Sequence, residues 1–145
     1  MTQSAAVVLL LVALAACART PDGESEDTPP PPAITDRDWE LTSIGDLVDP
    51  RGMQDRPVTI RFDSVGTRAA GHAGCNQFSA GYRLSGDSLW FEPAMATKMM
   101  CPDAMAVETA LFVALERVTR YEATDSTLTL LDPSGPLARF RAASP

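Results

Sequence analysis

The segment 71–82 constrains the fold of this chain more than any other stretch of its sequence. It contains the turn Gly74-Cys75-Asn76, in which Gly74 can supply an unusual backbone angle or a close approach of two chain segments. Asn76 can hydrogen-bond its own backbone and tolerates a left-handed conformation. A second cysteine, Cys101, follows further along the chain. We therefore expect a corner with a constrained backbone and a domain built around it.

Two aromatic residues, Phe78 and Tyr82, follow this turn directly and can pack the corner onto a hydrophobic core. The segments on either side alternate polar and apolar residues, which is typical of half-buried strands. A hairpin turn is predicted at Ser85-Gly86-Asp87, and residues 45–56 are predicted to be a loop. The predicted strands are residues 38–44, 58–62, 67–72, 81–84, 88–91, 95–99, 120–123, 127–131 and 137–141.

One helix is predicted, from Pro102 to about Val118, because proline suits the first helical position. Glu108 falls on its apolar face, where a carboxylate without a partner is costly. We expect Glu108 to pair with a cation or to accept backbone N–H groups, and we favour this structural role over a general acid or base. Strands on both sides of one helix predict an α+β domain, with a mainly antiparallel, curled sheet packed on that helix. The other residues of the apolar face are Ala104, Val107, Leu111, Leu115 and Val118.

The amino-terminal segment indicates secretion. Residues 5–16 are apolar and uncharged, too few to span a bilayer but typical of a signal peptide, which we assign to residues 1–16. The following residue, Cys17, is placed as in a bacterial lipobox and is the predicted lipid attachment site, although residues 1–4 carry no Lys or Arg. The alternative is a secreted protein without the lipid. Ala18 in place of aspartate favours the outer membrane over the inner one.

Composition divides the remainder into a tether and one domain. Residues 17–34 are acidic and proline-rich and lack large apolar side chains, which predicts a disordered tether. Residues 35–143 are long enough for one modest core. The net charge of −7, with no cluster among the 12 Lys and Arg residues, argues against nucleic-acid binding.

The cysteines left after Cys17 are Cys75 and Cys101. An even pair in a small secreted domain predicts a disulfide, while two buried thiols or a soft-metal site are the alternatives. Four methionines near Cys101 suit Cu(I) together with thiolates. Methionine also fills irregular gaps in a core, and we favour that reading and predict no metal or cofactor. The four are Met95, Met99, Met100 and Met105.

His72, Cys75 and Asn76 invite comparison with Cys/His/Asn hydrolases. Such groups usually come from distant segments that converge in space. Three residues within five positions on a strand and turn rarely converge, so we predict no enzymatic activity. His72 is expected to lie at the surface or on an edge strand.

Three spaced motifs carry a resemblance to a known family. They are Gly74-Cys75-Asn76-x-Phe78-x-x-Gly81-Tyr82, Thr97-x-Met99-x-Cys101 and Glu108-x-x-x-Phe112-x-x-Leu115. With them, roughly residues 35–141 resemble the META/HslJ family of small bacterial envelope domains. The resemblance implies an α+β fold and an envelope location, and it implies no enzymatic activity. The structural residues that it singles out are Gly74, Asn76, Phe78, Tyr82, Thr97 and Glu108.

Two functional hypotheses follow. In the first, the chain is a lipid-anchored, non-enzymatic envelope domain facing the periplasm, with a binding role or a role in envelope stress and integrity. In the second, it is a module that binds a protein or a small ligand, for instance a protease inhibitor. An exposed apolar patch rimmed by polar residues favours the second hypothesis. The sequence does not identify the envelope protein or ligand.

Overall fold

The computed structural model describes residues 33–144. This part of the chain forms ten β-strands, one α-helix (α1) and a short 3₁₀ helix at Met53–Asp55. The strands are β1 (Asp38–Ile44), β2 (Leu47–Val48), β3 (Thr59–Asp63), β4 (Arg68–His72), β5 (Gln77–Ser85), β6 (Ser88–Phe91), β7 (Met95–Ala96), β8 (Arg120–Ala123), β9 (Thr127–Asp132) and β10 (Gly135–Ala142), and α1 is Met105–Arg117.

Eight of these strands form a closed antiparallel barrel in the order β1-β3-β4-β5-β6-β8-β9-β10. The ring closes where β1 pairs with β10, with Trp39 opposite Ala142 and Leu41 opposite Phe140. The α+β class with one helix is as predicted, but the curled sheet is wrong, because the first and last strands meet edge to edge. Closure leaves neither of these two edges open to pairing with another chain. Strand β2 pairs with β1, and β7 pairs with β5, beside the ring.

The barrel is least complete between β6 and β8. These strands share one paired position, Ser88 opposite Arg120, and the Leu89 N–H donates to the Thr119 carbonyl at 3.1 Å. Helix α1 contacts β6 and also β1 and β10. Packing of the helix therefore supplements the few hydrogen bonds on this side of the barrel.

Helix α1 turns its predicted apolar face to the core. The sequence predicts a start at Pro102, but the helix begins at Met105, because residues 102–104 form a turn. The N–H groups of Ala104 and Met105 both donate to the carbonyl of Cys101, at 2.9 and 3.1 Å. The buried apolar residues of α1 pack with the inward side chains of the strands in one hydrophobic cluster.

Aromatic contacts tie β5 to this core. Tyr82 meets Phe62 edge to face at 5.2 Å between ring centroids, and Phe78 meets Phe112 edge to face at 5.8 Å. Phe78 and Tyr82 are both buried. Such pairs stabilise a fold beyond the area that they bury.

Besides the start of the helix, other predicted boundaries are wrong, including the start of β5, which lies at Gln77 instead of residue 81. The tether is predicted to continue through residue 34, but Ile34 is 1% exposed and its carbonyl accepts a hydrogen bond from Trp39 Nε1 at 2.9 Å. Its apolar side chain belongs to the core. The predicted strand 95–99 ends at Ala96, because the backbone N–H of Met99 donates to the side chain of Asn76 rather than to a neighbouring strand.

The predicted signal peptide, the lipid attachment at Cys17 and the tether up to residue 32 lie outside the described residues. Across residues 33–144, no helix combines the length and the apolar character needed to cross a membrane.

Candidate functional site

Glu108 is the centre of a buried hydrogen-bond network at the Gly74-Cys75-Asn76 corner. It projects from the first turn of α1 and is 5% exposed. Oε2 accepts hydrogen bonds from the backbone N–H groups of Cys75 (3.2 Å) and Asn76 (2.7 Å), and Oε1 accepts one from Asn76 Nδ2 (2.8 Å). None of these three donors is a cation. Hydrogen bonds, rather than an ion pair, therefore satisfy this carboxylate.

Asn76 joins the corner to the segment that precedes α1. Its Oδ1 accepts from the Met99 N–H at 2.7 Å and from the Thr97 hydroxyl at 2.8 Å, and its Nδ2 donates to the Met99 carbonyl at 3.1 Å as well as to Glu108. The side chain thus uses both of its donors and both acceptor positions. Aspartate could not make the same set of bonds, because it has no N–H.

The turn approaches the helix closely at Gly74. Its φ is +120°, and a Cβ there would lie 2.7 Å from Cγ1 of Val107. Glycine meets both requirements without strain. The Gly74 N–H donates to Nδ1 of His72 at 3.3 Å, so the imidazole is part of the corner.

His72 is 6% exposed, which contradicts its predicted position at the surface. Burial, aided by the charge of Arg56, holds the pKa of His72 below its ordinary value, against the opposing charge of Glu108. The imidazole is therefore neutral near pH 7, and Nδ1 is free of a proton and able to accept the bond from Gly74.

Cys75 and Cys101 form a disulfide, with their Cα atoms 5.6 Å apart. This disulfide joins the corner to Cys101, whose carbonyl accepts the N–H groups at the start of the helix. Because the sulfur of Cys75 is bonded to Cys101, no thiolate stands beside His72. The geometry of the corner supports the structural role predicted for these residues, with the helix pinned to the barrel by one covalent bond and one carboxylate.

Sequence reasoning misses Met53, which lies in the predicted loop before β3. Its Sδ is 3.6 Å from Sγ of Cys101, and its N–H donates to the Gly74 carbonyl at 2.8 Å. The neighbouring Gly52 packs so closely that an added Cβ would overlap that same carbonyl. Gly52 is the one sequence signal that could have indicated this close approach.

The methionines before Cys101 do not fill the core. Met95, Met99 and Met100 are 66%, 51% and 79% exposed, so the prediction of gap filling is wrong for them, whereas Met105 packs on the disulfide. A concavity of about 420 Å³ opens beside Cys101. Among the described residues, no three His, Cys, Asp or Glu side chains are grouped to hold a metal ion.

A second feature lies on the outside of β4, β5 and β6, and we call it the Glu92 face. Its members are Arg68, Gly81, Arg83, Trp90 and Glu92. The Glu92 carboxylate lies over Gly81, in space that a Cβ would occupy, and Arg83 Nη2 is 3.5 Å from Glu92 Oε1. Trp90 stands opposite Arg83 in the β5–β6 pair and is 46% exposed.

Three concavities meet at Glu92. One of about 580 Å³ passes Arg68 and Gly81, one of about 430 Å³ lies between Arg83 and Trp90, and one of about 450 Å³ reaches the helix at Phe112. Arg68 and Arg83 place positive charge along the first two concavities, whereas the carboxylates of Glu92 and Glu116 line the third. The sequence does not predict this face, because its residues come from three strands and only meet once the sheet forms.

The fold and the corner define a small α+β barrel domain in which a single helix is fixed to the sheet by a disulfide and a buried carboxylate. The chain belongs to the META domain family, whose model matches residues 32–144.

Solved structures resemble this fold. One is the NMR structure of a protein from Burkholderia xenovorans, with a TM-score of 0.63 and 24% identity, covering 88% of this chain and 99% of that one. A second NMR structure has a TM-score of 0.57 and 22% identity, and covers 72% of this chain and 87% of its own. At this identity the likeness shows the fold alone. Curated protein sequences contain no match to this chain.

Proposed function

We propose that this chain is a non-enzymatic binding domain of the cell envelope, anchored through a lipid on Cys17, that binds an extended acidic peptide segment of another envelope protein. The observation that carries this proposal is the Glu92 face. Its exposed tryptophan, two arginines and adjoining concavities combine features that protein-binding surfaces share.

The chemistry of the face favours a peptide that carries carboxylates. Arg83 is 77% exposed in its side chain, and its one charged neighbour at this face, Glu92, is 60% exposed. A carboxylate of the partner can therefore displace Glu92 from Arg83 and form a bidentate pair with the guanidinium. Trp90 offers a flat apolar surface beside it for an apolar side chain of the same segment.

The shape of the face favours an extended segment. The three concavities adjoin one another, from Arg68 across Gly81 to the helix at Phe112. Gly81 has no side chain to obstruct the middle of this path, and the carboxylate end of Glu92 lies above it. An extended peptide can follow such a path and place successive side chains in successive hollows.

Anchoring explains how such a domain would meet its partner. The lipobox-like Cys17 would place the chain on the membrane, and the acidic, proline-rich tether would hold the barrel away from it, at about 3 Å per proline-rich residue. Cys17→Ser should leave unprocessed precursor that no longer carries a lipid. Mass spectrometry of the mature amino terminus tests this, and any terminus other than lipidated Cys17 contradicts anchoring.

Site-specific photo-crosslinking in envelope preparations tests the binding face. A photoreactive phenylalanine at Trp90 should give a discrete adduct, whereas the same residue at Val48, which is 84% exposed on β2, should not. Arg83→Glu should abolish the adduct, while Arg139→Glu on the exposed side of β10 should leave it. The crosslinked peptide should contain Asp or Glu. Equal adducts at both positions, or an adduct unaffected by Arg83→Glu, would refute the proposed face.

A further inference from the structure

Three sulfur atoms from three separate segments meet at the corner. Sγ of Cys75 and Sγ of Cys101 are joined in the disulfide, and Sδ of Met53 lies 3.6 Å from Sγ of Cys101. Thiolate and thioether sulfurs together are the ligands that Cu(I) prefers. A metal about 2.3 Å from each of three sulfurs requires them to lie about 4 Å apart, which is close to the separation already present between Met53 and Cys101.

These sulfurs are held in place by bonds other than the disulfide. Glu108 accepts the backbone N–H of Cys75, and Asn76 bonds to the segment that leads to Cys101. The Met53 N–H donates to the Gly74 carbonyl. The corner should therefore keep its shape when the S–S bond is opened, because each of the three segments stays tied to the others.

We propose that the reduced corner is a binding site for a monovalent soft metal ion, Cu(I), held by the thiolates of Cys75 and Cys101 and the thioether of Met53. The disulfide is then the closed, metal-free state of the same site. This departs from the expectation that the chain holds no metal, and it is independent of the Glu92 face.

Reduction of the disulfide and binding of the metal are two separate steps. A dithiol reductant gives two electrons and two protons to the disulfide, and leaves as its own cyclic disulfide while Cys75 and Cys101 become thiols. Cu(I) then replaces the two thiol protons, which go to solvent, and two S–Cu bonds form without change in the oxidation state of copper. The thioether of Met53 adds a third, neutral ligand.

Access to the site is open on one side. The concavity of about 420 Å³ is lined by Met53, Met100, Cys101 and Ala104. Met53 is 36% exposed, whereas Cys101 is 6% and Cys75 1% exposed. An incoming ion would therefore reach the exposed thioether first and the two buried thiolates after it.

Competition for Cu(I) tests the site. Protein reduced with a phosphine, under argon, should take one Cu(I) from a coloured Cu(I) chelator, and the disulfide form should take none. Met53→Leu, a change of similar volume, should weaken binding at least about tenfold, the scale on which even outer-shell partners alter metal affinity. Met95→Leu on β7 is the matched control and should bind like the parent. X-ray absorption should count three sulfurs in the parent and two in Met53→Leu.

Several outcomes would overturn the proposal. Equal Cu(I) affinity of the parent and Met53→Leu would show that the site is an ordinary dithiol. Loss of Cu(I) affinity in Met100→Leu, and not in Met53→Leu, would show that Met53 is not the third ligand. Binding by the disulfide form would show that the cysteines are not the ligands. Loss of the aromatic bands in the near-ultraviolet circular dichroism on reduction would show that the packing is not kept without the S–S bond.

Discussion

Replacing Glu108 with alanine removes the acceptor of three buried N–H groups, two from the backbone of Cys75 and Asn76 and one from the Asn76 side chain. A buried donor left without a partner costs about 1–3 kcal/mol. Water entering the space left by the side chain satisfies part of this demand, so the low end of that range applies to each donor. We expect Glu108→Ala to lower the free energy of unfolding by about 3–5 kcal/mol.

Glutamine at the same position separates the hydrogen bonds from the charge. Its oxygen can still accept the two backbone N–H groups, but its NH₂ then faces Nδ2 of Asn76, so that two donors oppose each other. Rotation of the Asn76 amide does not help, because it breaks the bonds to Met99 and Thr97. The expected loss for Glu108→Gln is about 1–3 kcal/mol.

The effect of Glu108→Gln on the free energy of unfolding should change sign when Asn76 is replaced by aspartate. Asn76→Asp alone sets two carboxylates where atoms 2.8 Å apart now form a hydrogen bond, and should be strongly destabilising. Glu108→Gln in that background supplies a donor to the carboxylate introduced at position 76, so it should raise the stability. The two substitutions should couple by about 2 kcal/mol or more, near the upper part of the range for residues in contact.

Urea unfolding of the oxidised protein, followed by tryptophan fluorescence, measures these changes, because unfolding exposes the buried Trp39. Glu116→Ala is the control, because Glu116 is exposed on the same helix and should shift stability by less than about 0.5 kcal/mol. The reasoning is refuted if Glu108→Gln destabilises both backgrounds alike, or if Glu108→Ala costs no more than the control.

Three further predictions concern the same region. Replacing both Cys75 and Cys101 by alanine opens a cross-link between residues 26 apart and should cost about 3.5 kcal/mol in urea unfolding while the far-ultraviolet spectrum stays unchanged; an unfolded variant contradicts this. Because the pKa of His72 is lowered in the folded state, the unfolded chain binds the proton more readily, and stability should fall as the pH drops below about 6.5. His72→Asn, whose oxygen can accept the same hydrogen bond, should flatten this part of the pH profile, and an unchanged profile would assign the loss to another group. Gly71→Ala places a Cβ against the carbonyl of Thr59 on the paired strand, and calorimetry should show a loss larger than about 2 kcal/mol, whereas an unchanged melting temperature would mean that β3 shifts freely.

Local pattern predicts the strands well, because alternation depends on neighbouring residues. Strand β1 is expected at residues 38–44 and lies at Asp38–Ile44, and the hairpin between β5 and β6 turns at Gly86, with φ of +59°. Closure of the barrel is different. It depends on how far the sheet twists before its ends meet, and the pairing of β1 with β10 joins opposite ends of the domain.

The same distinction holds at the corner. Glu108 can be found because a carboxylate on an apolar helix face requires a partner, but the sequence does not show that its partners are backbone N–H groups instead of an arginine. Met53 is missed and His72 is misplaced because the loop before β3 folds across the turn and makes contacts that are distant in the sequence. The contacts of such side chains cannot be predicted from local sequence patterns, because their neighbours are distant in the sequence.

Strand β5 connects the corner to the Glu92 face. It starts next to Asn76, sends Phe78 and Tyr82 inward, and presents Gly81 and Arg83 outward. A slip of one residue would exchange these two faces of the strand, burying Arg83 and exposing the aromatic rings. The bonds from Asn76 to Glu108 fix where β5 begins, so they also fix which side chains reach the Glu92 face. Crosslinking from Trp90 in the Glu108→Gln background should therefore report on the register of the strand: unchanged adducts would mean that packing of Phe78 and Tyr82 sets the register without the carboxylate.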